Sequence, residues 1–298
     1  MSDKFDEYYE NPRPEIQGIV GRAAKRILDV GCGAGSMAWH LKTDNAAEVW
    51  GVEPIAAAAL KASERLDKVI VASVENAIKQ LPDYYFDAII FADVLEHLVD
   101  PYTVLSKMKY KLAPDGFVVT SLPNVRHSSV LRMVLEGNWD YQDYGLMDST
   151  HLRFFTRKSA EQMFTNAGYQ TAEIMANVLE AQPLPPGLED FLRQSGLAVD
   201  GLENESKHFQ YMIKAYPATQ KFRDAKPSEV SPYIESLFAQ MITEVKTSNY
   251  QKAHETCVMA IDIIKRTQFP QLQPLCAKFE SLLLKLKSLK KANLGDEE

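Results

Sequence analysis

Short apolar runs alternate with amphipathic stretches between about residue 25 and residue 121. The apolar runs are rich in β-branched residues and almost continuous, which is typical of strands covered on both faces. The stretches between them place apolar residues at helical spacing, so the pattern is that of consecutive βαβ units. It predicts an α/β fold with a doubly wound, mostly parallel sheet. The predicted strands are KRILDV, AEVWGV, DKVIVAS, FDAIIFA and GFVVTSL, and the helices between them include SMAWHLK, IAAAALKASERL and PYTVLSKMKYKLAP.

The pattern changes after residue 121. Residues 122–156 are polar, rich in aromatic residues and irregular, and a loop of this length inside a domain is usually functional, so we expect a lid over a ligand site. RKSAEQMFTNAGY then predicts a helix and YQTAEIMANVL a strand. An irregular insertion is expected over about 181–207, and FQYMIKAYP predicts a last strand that ends near Pro217.

Beyond a polar linker at about 218–228, the pattern is wholly helical. Ser231 followed by Pro232 has the form of an N-cap and a first helical residue. YIESLFAQMITEV, YQKAHETCVMAIDIIKR and QLQPLCAKFESLLLKLKSLKK carry apolar residues at three- and four-residue spacing. We therefore expect two domains: residues 1–217 with the sheet, and residues 229–290 as a hairpin-like helical appendage. The appendage would pack on the first domain, on a second copy of the chain or on a protein partner.

Composition narrows the function classes. The 298 residues are 46% hydrophobic and 24% charged, as in a folded globular protein. No apolar run approaches the length of a membrane span, and the polar, acidic start MSDKFDEYYENPRPE resembles neither a secretory signal nor a transit peptide. Cys32, Cys257 and Cys276 lack metal-binding spacing, so a reducing cytoplasmic location is expected. A net charge of -7 disfavours a nucleic-acid partner.

A glycine-rich turn follows the first predicted strand, in the segment ILDVGCGAG. Gly31, Gly33 and Gly35 let the backbone turn sharply and approach a ligand closely. A dinucleotide-binding loop would place its third glycine at position 36, where this chain has Ser36. A Walker loop would require Gly-Lys-Ser/Thr, which is absent. Neither a pyrophosphate nor a triphosphate ligand therefore fits the turn.

Two carboxylates flank this turn. Glu53 stands at the end of the second predicted strand, where an acidic side chain can accept hydrogen bonds from both hydroxyls of a ribose. Asp29 stands at the tip of the first strand, where it would repel a phosphate and attract an ammonium group. The residues predict a ligand with a ribose, a positively charged amine and no phosphate.

These motifs closely resemble those of the class I S-adenosylmethionine-dependent methyltransferases. The resemblance continues through FDAIIFADVLEHLVDP and LAPDGFVVT and covers about residues 8–217. It implies a seven-stranded Rossmann-like sheet with an antiparallel last hairpin, and S-adenosyl-L-methionine as the cofactor. Many members have an acidic residue at the position of Ser73, so Ser73 departs from the pattern. The residues that the resemblance places around the cofactor are Asp29, Gly31, Gly33, Gly35, Glu53, Ser73, Val74, Ala92 and Asp93.

Methyl transfer to a hydroxyl requires a base whose pKa lies near neutrality, and histidine is the obvious side chain. His151 is our first candidate for this base and His127 the second, since both follow the carboxyl ends of predicted strands; a structural hydrogen-bonding role is the alternative for each. Pairing of the arginines with Asp148 or Asp143 is an alternative to acceptor binding. The candidate acceptor-binding residues are Asn124, Arg126, Arg153 and Tyr144, with Trp139 and Tyr141 as further aromatic candidates.

The arrangement Asp93-x-x-Glu96-His97 with a distant His151 resembles the metal site of small-RNA terminal 2′-O-methyltransferases. That resemblance would imply Mg²⁺ or Mn²⁺, but this chain has Asp93 where those proteins have glutamate, and Glu-His is common among metal-free relatives. Our preferred interpretation therefore includes no metal.

The acceptor is suggested by a further resemblance. YYENPRPEI, PNVRH and HLRFFT are similar to segments of bacterial methyltransferases associated with glycosyltransferases and surface-polysaccharide assembly. This implies a small-molecule acceptor, most simply a hydroxyl of a sugar or polysaccharide precursor, methylated by in-line displacement. Two alternatives stay open: a metal-assisted RNA 2′-O-methyltransferase, and a cofactor-binding scaffold whose helical tail recruits a partner.

Overall fold

The computed structural model describes residues 12–219, 227–267 and 269–293. The chain divides into two compact units. The first comprises residues 1–112 and 116–216, and the second comprises residues 113–115 and 217–298. Most of the linker predicted at 218–228 and most of the acidic N-terminal start lie outside the described residues.

The first unit is built on a seven-stranded sheet with the strand order β3-β2-β1-β4-β5-β7-β6. Strand β1 pairs in parallel with β2 and β4, β4 pairs in parallel with β5, and β7 is antiparallel to β5. The predicted seven-stranded, mostly parallel sheet is confirmed. Its strands are β1 Arg26–Val30, β2 Glu48–Glu53, β3 Lys68–Val71, β4 Phe86–Ala92, β5 Leu112–Pro123, β6 Tyr169–Val178 and β7 His208–Pro217.

Helices cover both faces of the sheet, which explains why its central strands are continuous apolar runs. In β1, Ile27 faces one hydrophobic cluster and Leu28 faces the other, and both are fully buried. Burial on both faces stabilises the parallel strands by removing apolar area from water. The helices of this unit are α1 Pro14–Val20, α2 Ser36–Asn45, α3 Ala56–Ser63, α4 Val74–Ala77, α5 Pro101–Met108, α6 Ser128–Leu135, α7 Arg157–Asn166, α8 Leu188–Gln194 and α9 Leu202–Glu205.

Two segments expected to be irregular contain helices. Helix α6 lies inside the predicted lid, and α8 and α9 lie inside the predicted insertion. Helix α6 begins directly after His127, whose ring accepts a hydrogen bond from the backbone N–H of Ser129. Its one buried apolar residue, Val130, packs against residues of the following loop, so the helix is too short for its period to stand out in the sequence.

The second unit consists mainly of three helices, α10 Pro227–Lys246, α11 Tyr250–Thr267 and α12 Gln273–Asn293, which confirms the predicted helical C-terminal region. The predicted start at Ser231 and Pro232 is wrong, because α10 begins at Pro227 and contains Pro232 in its interior. Val230 is fully buried in the core of this unit, so its packing extends the helix beyond the proline.

A buried ion pair lies inside the second unit. Arg266 donates from Nε to Oδ1 of Asp262 over 2.9 Å, and both side chains are almost completely buried. The same guanidinium donates to the backbone carbonyls of Ala113 and Pro114, at 3.1 and 3.3 Å, and Thr219 donates to the other oxygen of Asp262. None of the described helices combines the length and the apolar character needed to cross a bilayer.

Candidate functional site

The glycine-rich turn between β1 and α2 requires glycine. Gly31, Gly33 and Gly35 all have left-handed backbone conformations, with φ of 73°, 53° and 80°. A Cβ on Gly31 would also lie 2.6 Å from Cγ2 of Val94. Because L side chains adopt this conformation only with strain, the turn depends on residues without a Cβ. The bare backbone leaves a cradle at the carboxyl end of β1.

Glu53, at the end of β2, is held from both sides. One carboxylate oxygen accepts a hydrogen bond from the backbone N–H of Gly33 and the other from that of Ile55, each at 2.9 Å. Only 4% of the residue is exposed. Each oxygen has a second lone pair available, so the oriented carboxylate can accept hydrogen bonds from two ligand hydroxyls.

Asp29, at the tip of β1, is buried without a full set of partners. Its Oδ1 has no hydrogen-bond partner and the residue is 2% exposed. Burial, and then the charge of Glu53, raise the pKa of Asp29 to about 8. An unpaired buried carboxylate oxygen is costly unless a ligand satisfies it. The pair of carboxylates and the cradle fit the ribose and the ammonium group of S-adenosylmethionine.

Arg13 belongs to the YYENPRPEI segment but was not among the predicted site residues, and the structure places it beside Asp93. Its guanidinium forms an ion pair with Asp93 at the end of β4 and donates to Oγ of Ser121 over 3.1 Å. Asp93 has a positive φ of 55° and also accepts hydrogen bonds from Ser121 and Gln210, at 2.7 and 2.9 Å. Arg13 also lowers the cost of ionising Asp29 through its charge. The two partners Arg13 and Asp93 are 80 positions apart, so no local pattern could signal the pair.

Three more predicted cofactor residues lie at ends of strands or helices. Ser73 precedes α4 without a side-chain capping hydrogen bond, and Val74 is buried in the hydrophobic core below it. Ala92 is the last residue of β4 and packs against the core on the other face of the sheet. Their contacts with the adenine and the cofactor stay predictions.

Glu96, His97 and His151 come together beside the end of β4. Each offers one ligand atom, and these atoms all lie within 4.8 Å of one another. The rings of the two histidines meet edge to face, with centroids 4.8 Å apart. Asp93, the fourth residue of the predicted metal set, is instead engaged by Arg13, Ser121 and Gln210.

Hydrogen bonds around this cluster orient both rings. Nδ1 of His97 lies 3.3 Å from the carbonyl of Thr150, and Nδ1 of His151 lies 3.3 Å from the carbonyl of Leu146. Each Nδ1 can therefore donate its proton to a carbonyl, which leaves Nε2 with a free lone pair. The backbone carbonyl of Glu96 accepts hydrogen bonds from the N–H groups of Leu152 and Arg153, each at 2.9 Å, and so ties the loop to the cluster.

The protonation states in the cluster differ from those in water. Burial, followed by the charge of His97, lowers the pKa of His151 below its usual value, so its ring is neutral at neutral pH. Burial, followed by the charge of Asp93, raises the pKa of Glu96 well above its usual value. Glu96 is completely buried, and neither carboxylate oxygen has a hydrogen-bond partner. The cluster thus combines a neutral imidazole with an unsatisfied carboxyl group.

His127 has a different environment. It is 2% exposed, its Nδ1 lies 2.8 Å from Oγ of Ser129, and its ring packs edge to face on Phe209. Burial lowers its pKa. These contacts are those of a helix-capping residue, and its role as a base stays a prediction.

The predicted acceptor-binding residues are held in different ways. The amide of Asn124 donates to the carbonyls of Glu205 and His208, and Arg126 forms an ion pair of 2.5 Å with Glu205. Arg153 donates to the backbone carbonyls of Val99 and Leu152. Tyr144 is 69% exposed. Their roles in acceptor binding stay predictions.

Comparison with known proteins gives a match to a family described as a methyltransferase domain, over residues 6–174. The ubiquinone biosynthesis O-methyltransferase of Yersinia enterocolitica is 32% identical over an aligned length of 160, with 46% of this chain and 66% of the relative covered. That of Vibrio atlanticus is 30% identical over an aligned length of 145, with 44% of this chain and 60% of the relative covered. The chain thus spans less than two thirds of the length of these curated relatives.

Solved structures give weaker similarities. A SAM-dependent methyltransferase from Archaeoglobus fulgidus is 18% identical and has a TM-score of 0.49, with coverage of 71% of this chain and 97% of that one. One from Aquifex aeolicus is 15% identical and has a TM-score of 0.47, with coverage of 71% and 96%. Scores this low do not establish a shared fold, so the fold rests on the strand order described above.

Proposed function

Because the chain belongs to the family of S-adenosylmethionine-dependent methyltransferases, we propose that it transfers the methyl group of S-adenosylmethionine to a hydroxyl oxygen of a small-molecule acceptor. The observation that carries this proposal is the pairing of a satisfied Glu53 with an unsatisfied, buried Asp29 around the glycine turn. The names of the curated relatives, which are O-methyltransferases, support a hydroxyl acceptor.

In this proposal each charged group at the cofactor end of the site has one task. Glu53 accepts hydrogen bonds from the ribose hydroxyls, and Asp29 accepts from the ammonium group. Arg13 is the proposed partner of the cofactor's carboxylate, since its charge acts on Asp29; to bind it, the guanidinium would have to share its present pairing with Asp93 and Glu15. When bound, the cofactor supplies a methyl group already activated on a positively charged sulfur.

The chain's own chemical task is then to orient the acceptor and to remove its proton. His151 is the proposed base: its Nδ1 faces the carbonyl of Leu146, so Nε2 is the nitrogen that can take a proton. Burial keeps the ring neutral and therefore able to act as a base at neutral pH. The sequence resemblance implies a sugar hydroxyl as the acceptor. The names of the curated relatives suggest a hydroxyl of another small molecule, and the proposal includes both.

The direct test uses the full chain, calorimetry with S-adenosylhomocysteine, and a radiolabelled methyl donor with a panel of sugars, phenols and amines. We expect binding of S-adenosylhomocysteine to weaken about 10–100-fold in Glu53→Gln, because the amide keeps only one acceptor oxygen and its remaining hydrogen bond is no longer charge-assisted. Glu64→Gln is the matched control, since Glu64 is exposed at the end of α3. The proposal would be contradicted if Glu53→Gln and the wild type bound S-adenosylhomocysteine with equal affinity. It would also be contradicted if only nitrogen atoms of the acceptors became labelled.

Metal-assisted transfer is a second candidate, favoured by the completely buried and unpaired carboxylate of Glu96 beside two imidazoles. An oxygen ligand and two nitrogen ligands whose other ring nitrogens face carbonyls or a hydroxyl are the donor set of a divalent-cation site. The residues therefore fit a cation held by Glu96, His97 and His151. Such an ion would supply Lewis-acid polarisation of the acceptor oxygen.

Metal content separates the two candidates. The full chain, incubated with Mn²⁺ or Mg²⁺ and passed through a desalting column, is analysed by mass spectrometry of the metal, and its activity is measured with and without chelator. A bound equivalent that disappears in Glu96→Gln but persists in the surface variant Glu75→Gln supports the metal. Full activity in chelator together with no retained metal supports the histidine base alone. The RNA acceptor, the partner-binding scaffold and the cytoplasmic location stay predictions.

A further inference from the structure

Six large apolar side chains are exposed between the end of α6 and the residue after the candidate base. Their exposed fractions run from 48% for Val134 and Trp139 to 71% for Leu135. Large apolar side chains that are exposed within one short segment are costly to leave in water, and where they form a patch they commonly mark a binding site. We call this set the apolar flank: Val134, Leu135, Trp139, Tyr141, Tyr144 and Leu152.

The segment that carries the apolar flank is anchored by a small buried cluster and by backbone hydrogen bonds. Val130, Leu146 and Met147 form a small buried cluster, against which Phe154 and Phe209 pack. The backbone N–H of Gln142 donates to the carbonyl of Met147 over 2.8 Å, and that of Ser149 donates to the carbonyl of Gln142 over 2.9 Å. The apolar core of the segment is thus already filled, and the six exposed side chains are additional to it.

One member of the apolar flank, Trp139, is connected to the candidate base through a row of rings. The ring of Trp139 lies 5.5 Å from that of Phe154, which lies 6.2 Å from that of His151, which in turn lies 4.8 Å from that of His97. If the hydroxyl of an acceptor lies against His151, the neighbouring part of the acceptor can therefore lie against Phe154 and Trp139.

The charge of the segment restricts the ligand further. Between Met133 and Leu152 the chain carries four carboxylates and no lysine or arginine. Arginines flank the segment on both sides: Arg132 pairs with Glu136 at 3.9 Å, and Arg153 donates to backbone carbonyls. Like charges disfavour an anionic group at this surface. The four carboxylates belong to Glu136, Asp140, Asp143 and Asp148.

We propose that the acceptor carries an uncharged apolar substituent, which binds along the apolar flank while its hydroxyl is presented to His151. The inference rests on the proposed O-methylation and names the acceptor class: a hydroxyl compound with an apolar tail and without phosphate. It excludes nucleotide-linked sugars and other phosphorylated acceptors, because their phosphates would face the four carboxylates.

Binding of three probes to the full chain saturated with S-adenosylhomocysteine tests the proposal without relying on turnover. The probes are phenol, 4-hexylphenol and 4-hexylphenyl phosphate, and calorimetry measures each affinity. A methylene group that leaves water contributes about fourfold in affinity, and a tail on an open surface loses only part of its contact with water. We therefore expect 4-hexylphenol to bind at least about 30-fold more tightly than phenol, and the phosphate to bind at least about tenfold more weakly than 4-hexylphenol.

Substitutions in the apolar flank test where the apolar tail of the acceptor binds. In the double variant Trp139→Ser/Tyr144→Ser, the preference for 4-hexylphenol over phenol should fall about tenfold, while affinity for S-adenosylhomocysteine is unchanged. Leu60→Ser is the matched control, because Leu60 is 69% exposed on α3. It removes an exposed apolar side chain from another part of the same unit and should leave the preference intact.

Several outcomes overturn the inference. These are equal affinity for the two phenols, tighter binding of the phosphate, or an undiminished preference in the double variant. Wild-type protein that sediments with phosphatidylcholine vesicles but shows no preference for the hexyl chain would make a lipid surface the occupant, and a concentration-dependent dimer lost in the double variant would make it a second copy. Tail binding without any transfer to hydroxyls would contradict the proposed function instead and leave the tail site standing.

Discussion

At the scale of single residues, the site contains two neighbouring carboxyl groups that differ in how fully their oxygens are hydrogen-bonded. Glu53 has both oxygens satisfied by backbone N–H groups, whereas Asp29 has an oxygen with no partner and a pKa of about 8. The protein therefore keeps in its core a group that destabilises the folded state and that only a ligand can satisfy.

We predict that Asp29→Asn raises stability and weakens cofactor binding. The folded-state pKa lies above the usual value, so the folded protein binds the extra proton between about pH 4 and pH 8, and the free energy of unfolding falls as pH rises through that range. The variant should gain about 1–3 kcal/mol at pH 8 and little at pH 4. Thermal unfolding at both values measures this difference.

The same group predicts how ligand affinity depends on pH. Between pH 6 and pH 8, affinity of the wild type for S-adenosylhomocysteine should rise by up to about tenfold per unit, since only ionised Asp29 can pair with the ammonium group. Affinity of Asp29→Asn should be weak and flat, whereas exposed Asp44→Asn should behave like the wild type. A pH-independent wild type would show that Asp29 is not the partner of the amine.

We predict that His151→Gln lowers kcat by about 10²–10⁴-fold while affinity for S-adenosylhomocysteine stays unchanged, as expected for loss of a general base. The kcat of His127→Gln tests the second candidate base, and His40→Gln, on the exposed face of α2, is the control. Steady-state kinetics with the best acceptor of the panel supplies the comparison. A larger loss of kcat in His127→Gln than in His151→Gln would reverse the assignment.

At the scale of elements, the glycine turn connects β1 to α2 and packs under the turn that follows β4. Gly31 has a φ of 73°, and Val94 occupies the space that its Cβ would need. A side chain at this position must therefore strain the backbone and displace a neighbouring element at the same time.

We predict that Gly31→Ala destabilises the protein by about 1–3 kcal/mol and weakens binding of S-adenosylhomocysteine. Adding Val94→Ala should restore part of the loss, because it removes the methyl group in the way. Gly18→Ala, in α1 where nothing lies within 4 Å of the added Cβ, should instead stabilise by about 0.5–1 kcal/mol. Chemical denaturation compares the variants, and wild-type stability in Gly31→Ala would contradict the packing described.

The elements also show what the sequence could predict. Strand β4 spans Phe86–Ala92, as its apolar run indicates, because burial on both faces leaves a continuous local pattern. The glycine turn and Glu53 are similarly local, since they lie next to strand ends. Helix α6 was missed because only Val130 is fully buried among its apolar residues and its N-cap is a histidine.

Tertiary contacts could not be predicted in the same way. The sequence placed His97 and His151 after strand ends, but their common cluster depends on hydrogen bonds from the loop to the carbonyl of Glu96. Arg13 reaches Asp93 from the position just before α1, a helix that the sequence pattern did not predict. Such contacts are set by how elements pack, and they leave no periodicity along the chain.

At the scale of the whole molecule, the chain consists of two compact units with separate cores. The second core includes the buried pair of Asp262 and Arg266, whose members depend on each other. Removal of one partner of such a pair leaves an uncompensated buried charge, which is strongly destabilising.

We predict that the two units unfold in separate thermal transitions. S-adenosylhomocysteine at about 100 times its Kd should stabilise one transition by about 2.7 kcal/mol. Arg266→Leu should destabilise the other by about 3–5 kcal/mol, whereas Arg193→Leu, in a half-exposed ion-pair network of the first unit, should not affect it. Scanning calorimetry of the full chain makes the comparison. One transition that responds to both the ligand and Arg266→Leu would contradict independent unfolding.

The peptide hydrogen bonds of Leu152 and Arg153 to the Glu96 carbonyl have a practical consequence. A molecule or ion that engages the Glu96 side chain would bind next to these two hydrogen bonds, and we expect the two amides to respond to it. Their chemical shifts and solvent-exchange rates in an NMR spectrum would serve as an intrinsic gauge of occupancy, so that mixtures of unlabelled compounds could be screened before any reaction product is known.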